Sequence, residues 1–122
     1  MNLLWQTTVA KTSVDVFQDL ECGAQGVFAY ANGALYGLSL SQGESLFAPI
    51  SAVTCPPLYR NGKLYYGTEQ NALRIADATT GKVLGSLDVK ALITTRPQWL
   101  EDLIYVGTAT GEIVVINPEA VK

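Results

Sequence analysis

Three stretches of this chain repeat one another: GVFAYANGALYGLSLSQG (residues 26–43), LYYGTEQNALRIADATTG (64–81) and IYVGTATGEIVVINPEAV (104–121). Their turn residues Gly33, Asn71 and Gly111 recur at roughly 40-residue intervals. Such a period marks stacked supersecondary units, because one unit cannot bury both of its faces alone. Aligned without gaps, Ala29, Gly67 and Gly107 share a position, and so do Leu35, Leu73 and Ile113. A small residue at one fixed strand position predicts close backbone approach there.

Within each repeat the pattern is that of hairpins. In residues 61–87, short apolar runs are punctuated by Asn61-Gly62, Gln70-Asn71 and Thr80-Gly81. Such pairs tolerate positive φ and close tight turns between strands. Looser strands precede each repeat, at 14–21, 53–60 and 92–100, and lead to Gly23-Ala24, Asn61-Gly62 and Glu101-Asp102. Pro57 and Pro97 fall at matching places, so these strands should start there or run at an unpaired edge. Outer strands are expected at 44–50 and 82–88. Each unit is then four antiparallel strands, and the units span 14–50, 53–88 and 92–117, with a lone outer strand at 2–8.

Apolar residues make up 48% of the 122-residue chain and charged residues only 16%, so its strands need cover on both faces. Four-stranded sheets stacked around an axis supply that cover. The expected fold is an all-β propeller with about three blades per chain. A β-sandwich is the alternative, and the regular period counts against it. The formal charge of −3 argues against broad nucleic-acid binding, and the lack of histidine removes the commonest metal ligand and general base. Cys22 and Cys55 do not make a disulfide framework and fit a reducing compartment, with a single bond between them as the alternative. The N-terminus does not read as a signal peptide, so a cytoplasmic protein is expected, or a periplasmic one if a leader has been removed.

The run Tyr65-Tyr66-Gly67-Thr68 followed by Asp77-Ala78-Thr79-Thr80-Gly81-Lys82-Val83-Leu84 resembles the pyrroloquinoline-quinone-type (PQQ-like) propeller repeat. Ile104-Tyr105-Val106-Gly107-Thr108 matches the first half of the same pattern. The pattern also occurs in non-enzymatic propellers of bacterial outer-membrane assembly, so the resemblance implies fold rather than chemistry. It places a docking tryptophan four residues after the turn glycine. Here those positions hold Phe47 and Gly85, and Trp5 alone keeps the tryptophan. The adjacent cysteines of the quinone enzymes are missing, and no cofactor is expected.

About three blades cannot seal a ring, since propellers close with four to eight. Two copies would give six. The expectation is a homodimer in which residues 1–8 of each chain complete the last blade of the other by strand exchange. Leu3, Leu4, Trp5, Ile113 and Val115 would carry the closure. A fragment of a longer propeller is the rival reading.

The innermost strands should line an axial channel with Asp15, Gln18, Thr54, Thr94 and Arg96, and Gln18, Pro56 and Arg96 are aligned as equivalents. Paired arginines on a two-fold axis can clamp a carboxylate or phosphate. The bland alternative pairs Arg96 with Asp15 or leaves it in solvent. Trp99 is a core residue or a surface recognition residue. Asp77 and Asn117 read as turn-stabilising side chains. The function expected is a non-catalytic binding or scaffold propeller, acting on a protein or small ligand through its faces or channel. The alternatives are a quinone-dependent dehydrogenase-like fragment and a small-anion-sequestering protein with a two-fold channel site.

Overall fold

The computed structural model describes residues 3–7 and 18–122. Three antiparallel sheets follow one another along the chain. Blade 1 contains β1 (Asp19–Cys22), β2 (Val27–Ala31) and β3 (Ala34–Leu38). Blade 2 contains β4 (Leu58–Arg60), β5 (Lys63–Gly67), β6 (Ala72–Asp77) and β7 (Val83–Asp88). Blade 3 contains β8 (Gln98–Leu100), β9 (Leu103–Gly107) and β10 (Ile113–Ile116), then a 3-10 turn at Pro118–Ala120.

Four strands per blade therefore holds only for blade 2 among the described residues. In blade 1 the expected outer strand at 44–50 reduces to bridges at Ser45 and Ile50. Leu46 N–H bonds to the Gly37 carbonyl, and Ile50 exchanges both bonds with Leu35. Residues 47–49, ending in the donorless Pro49, must bulge to fit beside Tyr36 alone. The inner strands are also shorter than expected. Val53 and Ile93 make single bridges to Thr68 and Thr108, and pairing resumes only after the buried Pro57 and Pro97. The first hairpin turn is Ala24-Gln25 rather than Gly23-Ala24, because the Gly23 N–H bonds to the Gly26 carbonyl just beyond the Cys22–Val27 pair.

The register corrects the gapless alignment by one residue. Asn32-Gly33, with φ of 48° and 78°, closes a two-residue turn between Ala31 and Ala34. In blade 2 the Thr68 N–H bonds to the Ala72 carbonyl, so the loop there has three residues. Leu35, Leu73 and Ile113 consequently face Tyr30, Gly67 and Gly107. Tyr30, not Ala29, is the equivalent of the two glycines. Close approach holds at both glycines: a Cβ on Gly67 would lie 2.7 Å from the Ile93 Cβ, and one on Gly107 2.8 Å from Thr95 Cγ2.

The core lies between blades, not within one sheet. Phe28, Tyr30 and Leu35 of blade 1 meet Leu64, Tyr66 and Ala76 of blade 2. On the other face of blade 2, Tyr65, Leu73 and Ile75 meet Ile104, Val106 and Ile116 of blade 3. Period-2 alternation in β5 and β6 thus sends apolar side chains to both sides, as two-sided burial requires.

Candidate functional site: inner edge, rim and open side of the blades

Gln18, Thr54 and Thr94 hold one repeat position, since their N–H groups bond to the carbonyls of Tyr30, Gly67 and Gly107. Their side chains turn to structural work. Gln18 Oε1 accepts from the Asn32 N–H at 3.0 Å, and Thr54 Oγ1 donates to the Ile93 carbonyl of the next blade at 2.6 Å. Thr94 Oγ1 reaches the Gly107 carbonyl only at 3.5 Å and stays exposed. Asp15 lies outside the described residues.

Arg96 is not a free clamp. Its Nη2 lies 2.7 Å from Asp19 Oδ2, so an ion pair joins the inner edges of blades 3 and 1. By register the equivalents are Asp19, Pro56 and Arg96, which displaces Gln18 from that set. Asp19 was not anticipated, because the alignment placed Gln18 there. Arg96 Nε is buried and finds no hydrogen-bond partner among the described residues. Cys55 sits close by, fully buried, and its sulfur accepts the Gly67 N–H at 3.2 Å. Burial pushes this thiol up to about 11, against smaller lowering effects from the Gly67 N–H, Arg96 and Thr54. Thr95 fills the same role in blade 3, its Oγ1 accepting from Gly107 at 2.8 Å.

Trp99 faces the blade interface. Its ring meets Tyr65 edge-on at 5.5 Å, and the Arg60 guanidinium lies 4.3 Å from the ring centre. Tyr59, its equivalent one blade earlier, stacks on Phe28, and its hydroxyl donates to Gln25. Gln25 reaches that hydroxyl from the Ala24-Gln25 turn. In the Asn61-Gly62 turn the equivalent of Gln25 is Gly62, which has no side chain to offer Trp99, whose Nε1 is buried without a partner among the described residues. An open pocket of about 560 Å³ lies there, lined by Trp99, Glu101, Asp102 and Glu119 among others. Asp77 and Asn117 act as the sequence suggested. Asp77 accepts from the Thr79 and Thr80 N–H groups, which hold its carboxyl below the usual range, and Asn117 accepts from Glu119 N–H.

The outer rim repeats one contact in three forms. Trp5 lies on Gly43 of its own chain, with Nε1 donating to the Leu40 carbonyl at 2.8 Å. Phe47 lies on Gly81, where a Cβ would come within 2.8 Å of the ring. Gly85 meets Val121, whose carbonyl would lie 2.9 Å from a Cβ on Gly85, and Ser86 exchanges backbone bonds with Lys122. Docking at the third junction therefore survives the loss of the aromatic, with main chain of residues 121–122 lying directly on Gly85.

The solved structures that resemble this chain share that arrangement of sheets. BamB from Moraxella catarrhalis superposes with a TM-score of 0.70 at 15% identity, covering 84% of this chain and 34% of that one. The chain has the fold of a segment of a PQQ-like β-propeller. Quinohemoprotein alcohol dehydrogenase ADHIIG from Pseudomonas putida HK5 follows at a TM-score of 0.64 and 17% identity, covering 95% of this chain and 21% of its own. The computationally designed Ika4 protein gives 0.64 at 19% identity, with coverages of 80% and 63%. The chain thus spans about a third of BamB and a fifth of the dehydrogenase. No family model and no curated protein matches it. The neighbours include both BamB and dehydrogenases, and at these identities the likeness carries the fold alone.

Proposed function

We propose that this protein is a non-catalytic binding or scaffold propeller whose working form is a six-bladed ring of two copies, engaging a protein or small ligand through its faces or channel. One observation carries the reading. Blade 3 presents to solvent the positions that blade 2 buries against its neighbour. Leu73 is 0% exposed and its equivalent Ile113 78%; Ile75 is 8% exposed and its equivalent Val115 50%. An apolar face kept at blade-facing positions is a face built to be covered. The Arg96–Asp19 pair counts against the anion-sequestering alternative, since the guanidinium already has its carboxylate.

Light scattering tests the assembly. A mass near twice 13.1 kDa supports the ring, and a monodisperse monomer at micromolar concentration overturns it. Incubation with pyrroloquinoline quinone and calcium tests the rest. Dye-linked alcohol oxidation with a quinone absorption band would replace the scaffold reading with the dehydrogenase one.

A further inference from the structure

The open side of blade 3 has a register, and blade 2 states it. In blade 2, Ile75 faces Gly85, Arg74 faces Ser86, Leu73 faces Leu87, and an irregularity sets Ala76 opposite Val83. β10 repeats the inner half of that arrangement: Ile113, Val115 and Ile116 face Gly107, Tyr105 and Ile104 as Leu73, Ile75 and Ala76 face Gly67, Tyr65 and Leu64. Among the described residues nothing pairs with the far edge of β10.

Residues 3–7 are the matching piece. Trp5 on Gly43 stands as Phe47 on Gly81 and Gly85 on Val121. Trp5 therefore marks the outer strand of a blade that would precede blade 1. Blade 3 is a blade that wants an outer strand. One chain cannot satisfy both conditions, because blade 2 lies between blades 1 and 3 and Trp5 is already seated on blade 1. Leu4, beside Trp5, is 87% exposed.

Resting on the two-copy ring proposed above, we infer that residues 3–7 of one copy pair with β10 of the second. Trp5 lies opposite Val115, Gln6 opposite Val114, Thr7 opposite Ile113 and Leu3 opposite Ile116. The outer face of that blade 3, with Leu100, Leu103 and Tyr105, then packs on the outer face of blade 1 of the copy that supplies residues 3–7. The two-fold repeats the junction, so both ends of each chain are covered at once. Strand pairing and Trp5 docking form together, which makes the interface an edge and a face in one.

The register can be trapped. Val89 N–H bonds to the Asn71 carbonyl, so 71/89, 73/87 and 75/85 alternate with the closer, non-hydrogen-bonded pair 74/86. Its counterpart is Val114 with Gln6, the site best suited to a cross-strand disulfide. In a Cys22→Ser background, chains carrying only Gln6→Cys are mixed equimolarly with chains carrying only Val114→Cys, then oxidised. Covalent dimers should take up about half of the chains, the share set by random pairing of two-copy rings. Gln6→Cys mixed with Ile113→Cys, one residue out of register, should give at least tenfold less. A two-copy mass with no cross-link, or with equal cross-linking in both mixtures, overturns the register and leaves the ring standing. A monomeric mass overturns both. A chain carrying Gln6→Cys and Val114→Cys that closes a disulfide within itself overturns the exchange between copies.

Discussion

The ring of Phe47 lies against Gly81, which sits at φ 74° with no room for a side chain above it. Two requirements meet at one glycine, a left-handed backbone and a flat surface for the neighbouring blade. Gly81→Ala should cost about 1–3 kcal/mol, from the strained backbone and from pushing the ring away. Phe47→Ala should cost about 2–3 kcal/mol, somewhat under the fully buried value because Phe47 keeps some exposure. Urea unfolding of the two variants and their double should show non-additivity, since each acts on the same contact.

Gly85 meets the Val121 main chain at the third junction, where no aromatic side chain docks. Gly85→Phe alone should destabilise strongly, because its Cβ would press on the Val121 carbonyl at 2.9 Å. Val121→Gly alone should cost about 1–3 kcal/mol, through lost burial and added chain entropy. The clash in Gly85→Phe is with the Val121 and Lys122 main chain, which Val121→Gly leaves in place. The double variant should therefore show no compensation and be no more stable than Gly85→Phe alone, as read from urea midpoints.

Cys55 should give the protein an alkaline limit. The thiol ionises near 9.0 when unfolded and is pushed up to about 11 when folded, chiefly by burial. Below pH 9 both states hold the proton and the full stability is present. Between about pH 9 and 11 only the unfolded state loses the proton, so stability falls with rising pH, by about 2–3 kcal/mol across the window. Cys55→Thr should remove the thiol's share of that slope, leaving the share of Tyr30, Tyr65 and Tyr66, whose hydroxyls burial also pushes up, while keeping an acceptor for the Gly67 N–H, as Thr95 does for Gly107. Urea unfolding of both proteins at pH 8 and pH 10.5 checks it. A thiol reagent at pH 8 should modify the exposed Cys22 and leave Cys55 until the protein unfolds.

The period, the turns and the blade-facing strands were legible in the sequence because each is a local signal. Asn-Gly pairs, glycines at close approaches and two-sided apolar runs report their own surroundings. Register was less legible. One residue separates the Asn32-Gly33 turn from the loop ending at Asn71, and a gapless alignment passes over it. That single slip moved the inner-edge set from Asp19 to Gln18 and so hid the partner of Arg96. The contact of Trp99 with Tyr65 and Arg60 was hidden for another reason. It joins two blades, and no spacing along one strand encodes it.

Leu73 and Ile113 occupy one repeat position in two surroundings, so the same truncation should act on two different equilibria. Leu73 is fully buried between blades 2 and 3, and Leu73→Ala should cost about 2–5 kcal/mol of folding stability at any protein concentration. Ile113 is 78% exposed in the single chain, so Ile113→Ala should change the folding of that chain by less than about 0.5 kcal/mol. Its cost should appear in assembly, where the side chain passes from water to a covered face. The wild-type unfolding midpoint should rise with protein concentration, as it does for any self-associating fold. Ile113→Ala should flatten that rise, and Leu73→Ala should lower the whole curve without flattening it. Denaturation series at two protein concentrations a hundredfold apart distinguish the two. A wild-type midpoint independent of concentration, with Ile113→Ala indistinguishable from it, would mean that nothing covers this face.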